Sequence, residues 1–233
     1  MRLKTMIYAM TAALLASTVA SAAPIWFGPT HYTSEADRPA AFDSFGSCDQ
    51  CAMVVEDFED ELIYPGLSLS PGMIIGPEFS SGLPKLVDSV DIDDGGINGS
   101  GNDGHSFYAV GNKITLTFDE PVTTAGVVWT DGPIEAERII LEAFDIDGNL
   151  IGAQAFAIEP DNSYQGTTDE DRFVGLQHEG IASLVVRQSG GGTGIEIDHI
   201  TFSNCAICVP EPSSAILIVL GIVSSLAIRR RRQ

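Results

Sequence analysis

The stretch RIILEAFDIDGNLIGAQAF, Arg138 to Phe156, decides the fold. Two apolar runs, RIILEAF (Arg138 to Phe144) and NLIGAQAF (Asn149 to Phe156), flank Asp145-Ile146-Asp147-Gly148. An Asp side chain can hydrogen-bond its own backbone two residues on, and Gly148 is free to take a positive φ. The four residues therefore read as the tight turn of a β-hairpin. Working outward, KITLTF (Lys113 to Phe118) sets Ile114, Leu116 and Phe118 against Thr115 and Thr117, the period of a half-buried strand. AGVVWT (Ala125 to Thr130), RFVGL (Arg172 to Leu176), IASLVVRQ (Ile181 to Gln188) and GIEIDHITF (Gly194 to Phe202) continue the pattern. MVVEDF (Met53 to Phe58) reads as the first strand. No long helical period and no fixed repeat interrupts them, which argues against a solenoid or propeller. Short strands separated by turn residues predict an all-β fold, a single β-sandwich or jelly-roll-like ectodomain. Asp88 to His105 is so rich in Gly, Asp and Asn that a loop is expected, at the surface or around an ion. Pro24 to Ser47 shows no period and receives no assignment.

The ends set the destination. Met1-Arg2-Leu3-Lys4, an apolar run from Met6 to Val19 and Ala20-Ser21-Ala22 form a secretory signal peptide over residues 1–22. An N-terminal segment, 23–52, leads to the strand domain at 53–208, and a tail of different character fills 209–233. From Ala23 to Pro212 only six basic residues stand against all 32 acidic ones, a balance of −26. Such a surface repels phosphate, so nucleic acid and anionic membrane are excluded as partners. It suits divalent cations, a salty medium, a basic partner, or plain solubility after export.

Cys48-Asp49-Gln50-Cys51 and Cys205-Ala206-Ile207-Cys208 bracket the strand region. Two CxxC elements are compatible with structural disulfides, a four-thiolate zinc site or redox chemistry. Export favours disulfides, and neither element opens a helix as redox chemistry would want. A bridge inside one CxxC constrains the unfolded chain by about 2 kcal/mol, whereas one joining the two pairs closes a loop of about 155 residues, worth roughly 5 kcal/mol. Domain ends are often close in space, so cross-pairing is the expectation.

Acids cluster in three places: Glu56 to Glu61, Asp88 to Asp94, and Glu196 with Asp198. Calcium takes six to eight hard oxygens in flexible geometry, and a Gly/Asp/Asn loop supplies them. An EF-hand is not met: counting from Asp91, the twelfth position is Asn102 rather than Glu. Asp198 is the acid of most interest. Strict alternation on GIEIDHITF puts Ile195, Ile197 and His199 on one face and Glu196, Asp198 and Ile200 on the other. That second face is either exposed or must supply Asp198 with a cation, an Arg or backbone donors. Alternation also keeps Asp198 and His199 from acting as an adjacent pair. Enzyme signatures are weak: neither HExxH nor GxSxG occurs, and the four histidines are His31, His105, His178 and His199. Carboxylate pairs of the kind a glycosidase uses exist everywhere in so acidic a chain. Trp26, Phe107, Tyr108, Trp129 and Tyr164 could form a sugar-stacking platform, but core or rim packing is the favoured reading, above all for Trp129 inside VVWT.

Three resemblances follow. Val209-Pro210-Glu211-Pro212, an apolar run from Ala215 to Ile228, and Arg229-Arg230-Arg231-Arg232 resemble the PEP-CTERM sorting signal of bacterial exported proteins. This tail type is also called the ice-binding protein C-terminal domain, a name that says nothing here of ice. The resemblance implies a transient hold in the inner membrane by a transmembrane helix over 215–228. Recognition and cleavage near the PEP element by an exosortase follow, with delivery to the cell surface or extracellular matrix. The physics agrees: 14 residues make a helix of about 21 Å against a hydrocarbon core of roughly 30 Å, short for a permanent anchor. The arginines hold that end in the cytoplasm, so the acidic domain lies outside. Most of the exported region is similar to a recurrent bacterial extracellular β-domain of uncharacterised function, through DSVDIDDGGINGSGNDGHSF, AGVVWTDG, EAFDIDGN, EDRFVG and GIEIDHITF. More distantly, acids on an early and a late strand resemble carbohydrate-binding jelly rolls with a structural calcium. Carried over, that implies Glu59 and Asp198 as ligands, with Asp91 and Asp93 added by the composition of their loop. The expectation is a non-catalytic glycan-binding or structural surface protein, held by calcium and partnered by extracellular polysaccharide. The alternative is a carbohydrate-active enzyme using a carboxylate pair.

Overall fold

A computed structural model describes residues 22–43, 53–77, 87–91, 97–101, 104–132, 138–158, 169–190 and 194–203. The four cysteines, Asp93, Tyr164, residues 1–21 and the whole tail from 209 to 233, where a helix over 215–228 was expected, lie outside them. Among the described residues no helix is long and apolar enough to cross a membrane.

The hairpin forms where it was expected. β9 (Arg138–Phe144) and β10 (Leu150–Ala157) pair antiparallel, Phe144 opposite Leu150 and Arg138 opposite Ala157. Asp145 Oδ1 accepts the N–H of Asp147 at 3.0 Å and of Asn149 at 2.8 Å, and Gly148 sits at φ 77°. Ile139, Leu141 and Ala143 are buried while Arg138, Ile140 and Glu142 face outward, the alternation of a strand with one wet face.

Two long strands organise the rest. β8 (Lys113–Asp131) joins the expected KITLTF and AGVVWT strands into one, and β11 (Arg172–Gln188) joins RFVGL to IASLVVRQ. The intervening Glu120-Pro121 and Glu179-Gly180 look like breaks in the sequence. In the fold they are bulges: residues 178–180 of β11 stand against Thr123, and residues 118–121 of β8 stand against Ala182. Extra residues in one strand bend it, and a bulge tolerates a Pro that lacks its N–H. The sheet runs β10-β9-β11-β8-β12-β7-β4, using β4 (Met73–Ile75), β7 (Ser106–Ala109) and β12 (Ile195–Ser203). Three strands branch from it: β1 (Ile25–His31) on β11, β2 (Met53–Glu56) on β12 and β3 (Leu67–Ser70) on β8. Beyond the bends the long strands change neighbours. Their one half pairs with β3 and β9, the other with β1 and β12. Side chains from both halves, Leu116 and Leu141 together with Val127, Trp129 and Ile197, share one core. Trp129 is fully buried and its Nε1 donates to Gln188 Oε1 at 3.0 Å.

The N-terminal segment that carried no period covers the opposite face. After β1 come a 3-10 turn (Glu35–Asp37) and one helical turn, α1 (Ala40–Asp43). Tyr32 and Phe42 pack there with Val90, Val128 and Phe173 in a second cluster. Gln177 Nε2 ties α1 down by donating to the carbonyls of Ala41 and Phe42, at 2.9 and 3.1 Å. The Gly- and Asp-rich stretch also corrects an expectation. Instead of a pure loop it forms a small antiparallel ladder, β5 (Ser89–Asp91) with β6 (Ile97–Gly101). Val90 reaches into the second cluster, so β5 is a lid on the sheet rather than a surface excursion.

Candidate functional site

β12 was expected to have a buried and an exposed or partnered face. All nine of its residues are buried. The two clusters explain this: the core lies on one side, the N-terminal segment and β5 on the other. Alternation also breaks inside the strand. His199 takes φ 43°, and against β8 the residues His199 and Ile200 together face Val127. The extra residue reverses the parity, so Ile200 and Phe202 rejoin Ile195 and Ile197 in the core. Strict alternation had placed Ile200 with Glu196 and Asp198. The same bulge corrects the separation of Asp198 from His199. The His199 N–H donates to Asp198 Oδ1 at 2.6 Å, and His199 Nδ1 lies 3.3 Å from that oxygen.

The acid face of β12 meets β5. Glu196 Oε1 accepts the Asp88 N–H at 2.7 Å and the Ser106 hydroxyl. Asp198 Oδ2 accepts the Val90 N–H at 3.0 Å and the Ser89 hydroxyl at 3.1 Å. Backbone donors are thus one answer to the demand that a buried Asp198 makes. Asp171 enters from the head of β11, where its carbonyl accepts the Tyr32 N–H at 3.1 Å. Asp171 and Asp198 have no exposed surface, and Asp88 and Glu196 keep 2 % each.

Burial and neighbouring like charge raise the proton affinity of Asp88, Asp171 and Glu196. Burial pushes the Asp171 carboxyl well above the usual carboxylate range, and the charges of Asp198 and Glu170 add to it against Arg172. Burial lifts Asp88 likewise, with Asp171 and Glu196 next in weight. Glu196 is raised by burial too, opposed by the donors from Asp88 and Ser106. Among the described residues, neither carboxylate oxygen of Asp171 nor Oδ1 of Asp88 has a hydrogen-bond partner.

The other selected acids lie elsewhere. Glu59, on the turn after β2, accepts the backbone N–H of His105, and its Oε2 lies 3.4 Å from His105 Nδ1. Asp91 stands in β5 opposite Ile97. Glu59 and Asp198 thus have separate partners. No three His, Cys, Asp or Glu side chains among the described residues surround one point as metal ligands do. Asp171 carries no sequence signal beyond being an acid just ahead of a strand. Of the aromatic set, Phe107 and Trp129 belong to the core and Trp26 packs against it, edge-on to Phe156 at 6.4 Å.

No family model and no curated protein matches the sequence. Among solved structures the chain is similar to the K2 cleaved adhesin domain of Lys-gingipain, at 8% identity over 65% of this chain and 99% of that one, with a TM-score of 0.40. The K3 cleaved adhesin domain of Lys-gingipain from Porphyromonas gingivalis W83 is 14% identical over 66% of this chain and 100% of its own, TM-score 0.34. The enzymatically active domain of bacteriophage CBA120 tailspike protein 4 is 15% identical over 63% of this chain and 20% of its own, TM-score 0.29.

Proposed function

We propose that this chain is an exported, exosortase-sorted protein that works at the cell surface or in the extracellular matrix as a non-catalytic binding or structural module. Its bent sheet is a β-sandwich of jelly-roll kind, delivered by the leader and held briefly in the inner membrane by the 215–228 helix. The observation that carries the proposal is the order of the tail behind an acidic all-β body: Pro210-Glu211-Pro212, an apolar run, then Arg229 to Arg232. Prolines keep the PEP element out of the helix and leave an extended segment at the membrane face. A plain anchor has no use for such a segment, whereas a processing enzyme does.

The buried acids of the seam are not placed to serve as a glycosidase pair. A glycosidase pair must flank a substrate bond. Asp171, Asp198 and Glu196 are sealed between two layers, out of a polysaccharide's reach. The ligand class that fits an exosortase-sorted β-domain is an extracellular polysaccharide. A glycan array, with pull-down on polysaccharide from the producing cells, tests this with and without chelator; absence of binding in both states removes the glycan reading. Mass spectrometry of the mature C-terminus tests the sorting. A chain ending near Pro212 is expected, and a mature chain retaining Arg229 to Arg232 reverses the processing claim.

A further inference from the structure

We propose that Asp88, Asp171 and Asp198, with Glu196 beside them, form a site for one calcium ion at the seam of β5, β12 and the head of β11. The three unpartnered oxygens carry the inference: both of Asp171 and Oδ1 of Asp88, on side chains with 0 % and 2 % exposure. A buried ionised carboxylate without a partner is strongly unfavourable, so it is protonated or it faces a cation. Protonation leaves the problem in place, because the new O–H also needs an acceptor and, among the described residues, Asp171 has no partner at either oxygen. Arg172, next to Asp171 in the chain, is turned to backbone: its Nη1 donates to the carbonyls of Asp169 and Asp171, at 3.0 and 2.8 Å.

The donor set selects the ion. Asp88, Asp171, Asp198 and the Ser89 hydroxyl offer only hard oxygens, which suits calcium or magnesium over softer metals. Magnesium sheds its water reluctantly and keeps several waters, which a pocket this closed does not admit; calcium accepts an all-protein shell of variable geometry. The carboxylates do not yet surround one point. Binding would therefore draw Asp88 and Asp171 together and clamp the β5–β6 lid onto the sheet. This site differs from the Glu59–Asp198 pairing implied by resemblance, and it stands independently of the export reading.

The test uses the full chain in detergent, stripped with chelator and dialysed into metal-free buffer at pH 7.5. Isothermal titration with calcium should show one ion per chain. At 100 times Kd the melting temperature should rise by about 5–10 °C. In Asp171→Asn the calcium shift should vanish. Its metal-free form should melt no lower than metal-free wild type, because a repelling charge is gone. A merely structural Asp171 would instead destabilise the protein in both states. Asp88→Asn should weaken calcium affinity at least tenfold, and Asp57→Asn, in the exposed acidic turn, should leave it unchanged. The proposal is overturned by no calcium shift, by a shift with magnesium alone, by an undiminished shift in Asp171→Asn, by a metal-free Asp171→Asn that fails to fold, or by an equal loss in Asp57→Asn.

Discussion

Strand β9 of the hairpin and strand β12 have opposite surroundings. In β9 buried positions alternate with more exposed ones over Arg138–Phe144, and in β12 apolar residues alternate with polar ones from Ile195 to Asp198. In β9 the polar positions meet water, and Glu142 pairs with Arg187 across to β11 at 2.6 Å. In β12 the polar positions meet β5 and the N-terminal segment, and Glu196 and Asp198 end in a closed pocket. An alternating strand therefore says that its two faces differ. It does not say that one of them is wet.

The sharpest way to break this contrast is to truncate an isoleucine on each strand. Ile200→Ala should cost about 2–5 kcal/mol because Ile200 is a core residue, while Ile140→Ala on the outward face of β9 should cost roughly 1 kcal/mol or less. Urea denaturation of the two variants checks it. Equal costs would mean that the His199 bulge does not reverse the parity of β12.

A smaller effect concerns acidity beside β12. Burial raises the Glu56 carboxyl above its usual range, against the N–H donors of Phe58, at 2.8 Å, and Tyr64. A folded-state pKa above the unfolded one means that the native chain holds its proton longer. Glu56 therefore costs stability as pH rises from the unfolded carboxylate value through the raised folded one. Glu56→Gln should flatten the stability profile over that window, measured as urea midpoints at pH 4.5 and 6.5. A profile steeper than that of wild type would contradict the assigned direction.

The smallest effect belongs to the hairpin turn. Asp145→Ala removes the side-chain acceptor for Asp147 and Asn149 without touching the core. Amide exchange should quicken at Asp147, Gly148 and Asn149 while β12 amides keep their protection. Loss of protection across β12 would show the two regions to be coupled.

This contrast also explains what the sequence disclosed. The hairpin was legible because its turn chemistry is local and one face is solvated. β8 and β11 were each legible in two halves; their bulges look like turns when the pairing partner is unseen. β1 was hidden because Gly28-Pro29 reads as a break. In the fold Gly28 sits at φ 93°, so close to β11 that a Cβ there would lie 2.2 Å from the Phe173 carbonyl oxygen. Asp198 could be singled out because an acid on a strand demands a partner. Asp171 and the role of Asp88 could not, since both depend on which layer covers the sheet, and that is set by contacts more than a hundred residues apart in the chain.

Whether a cation completes the buried acids of this seam is tested most directly by a crystal structure of the full chain grown with calcium. One ion is predicted, with oxygens of Asp88, Asp171 and Asp198 at about 2.3–2.6 Å. Carboxyl groups hydrogen-bonded to one another around a shared proton, with no ion density between them, would contradict it.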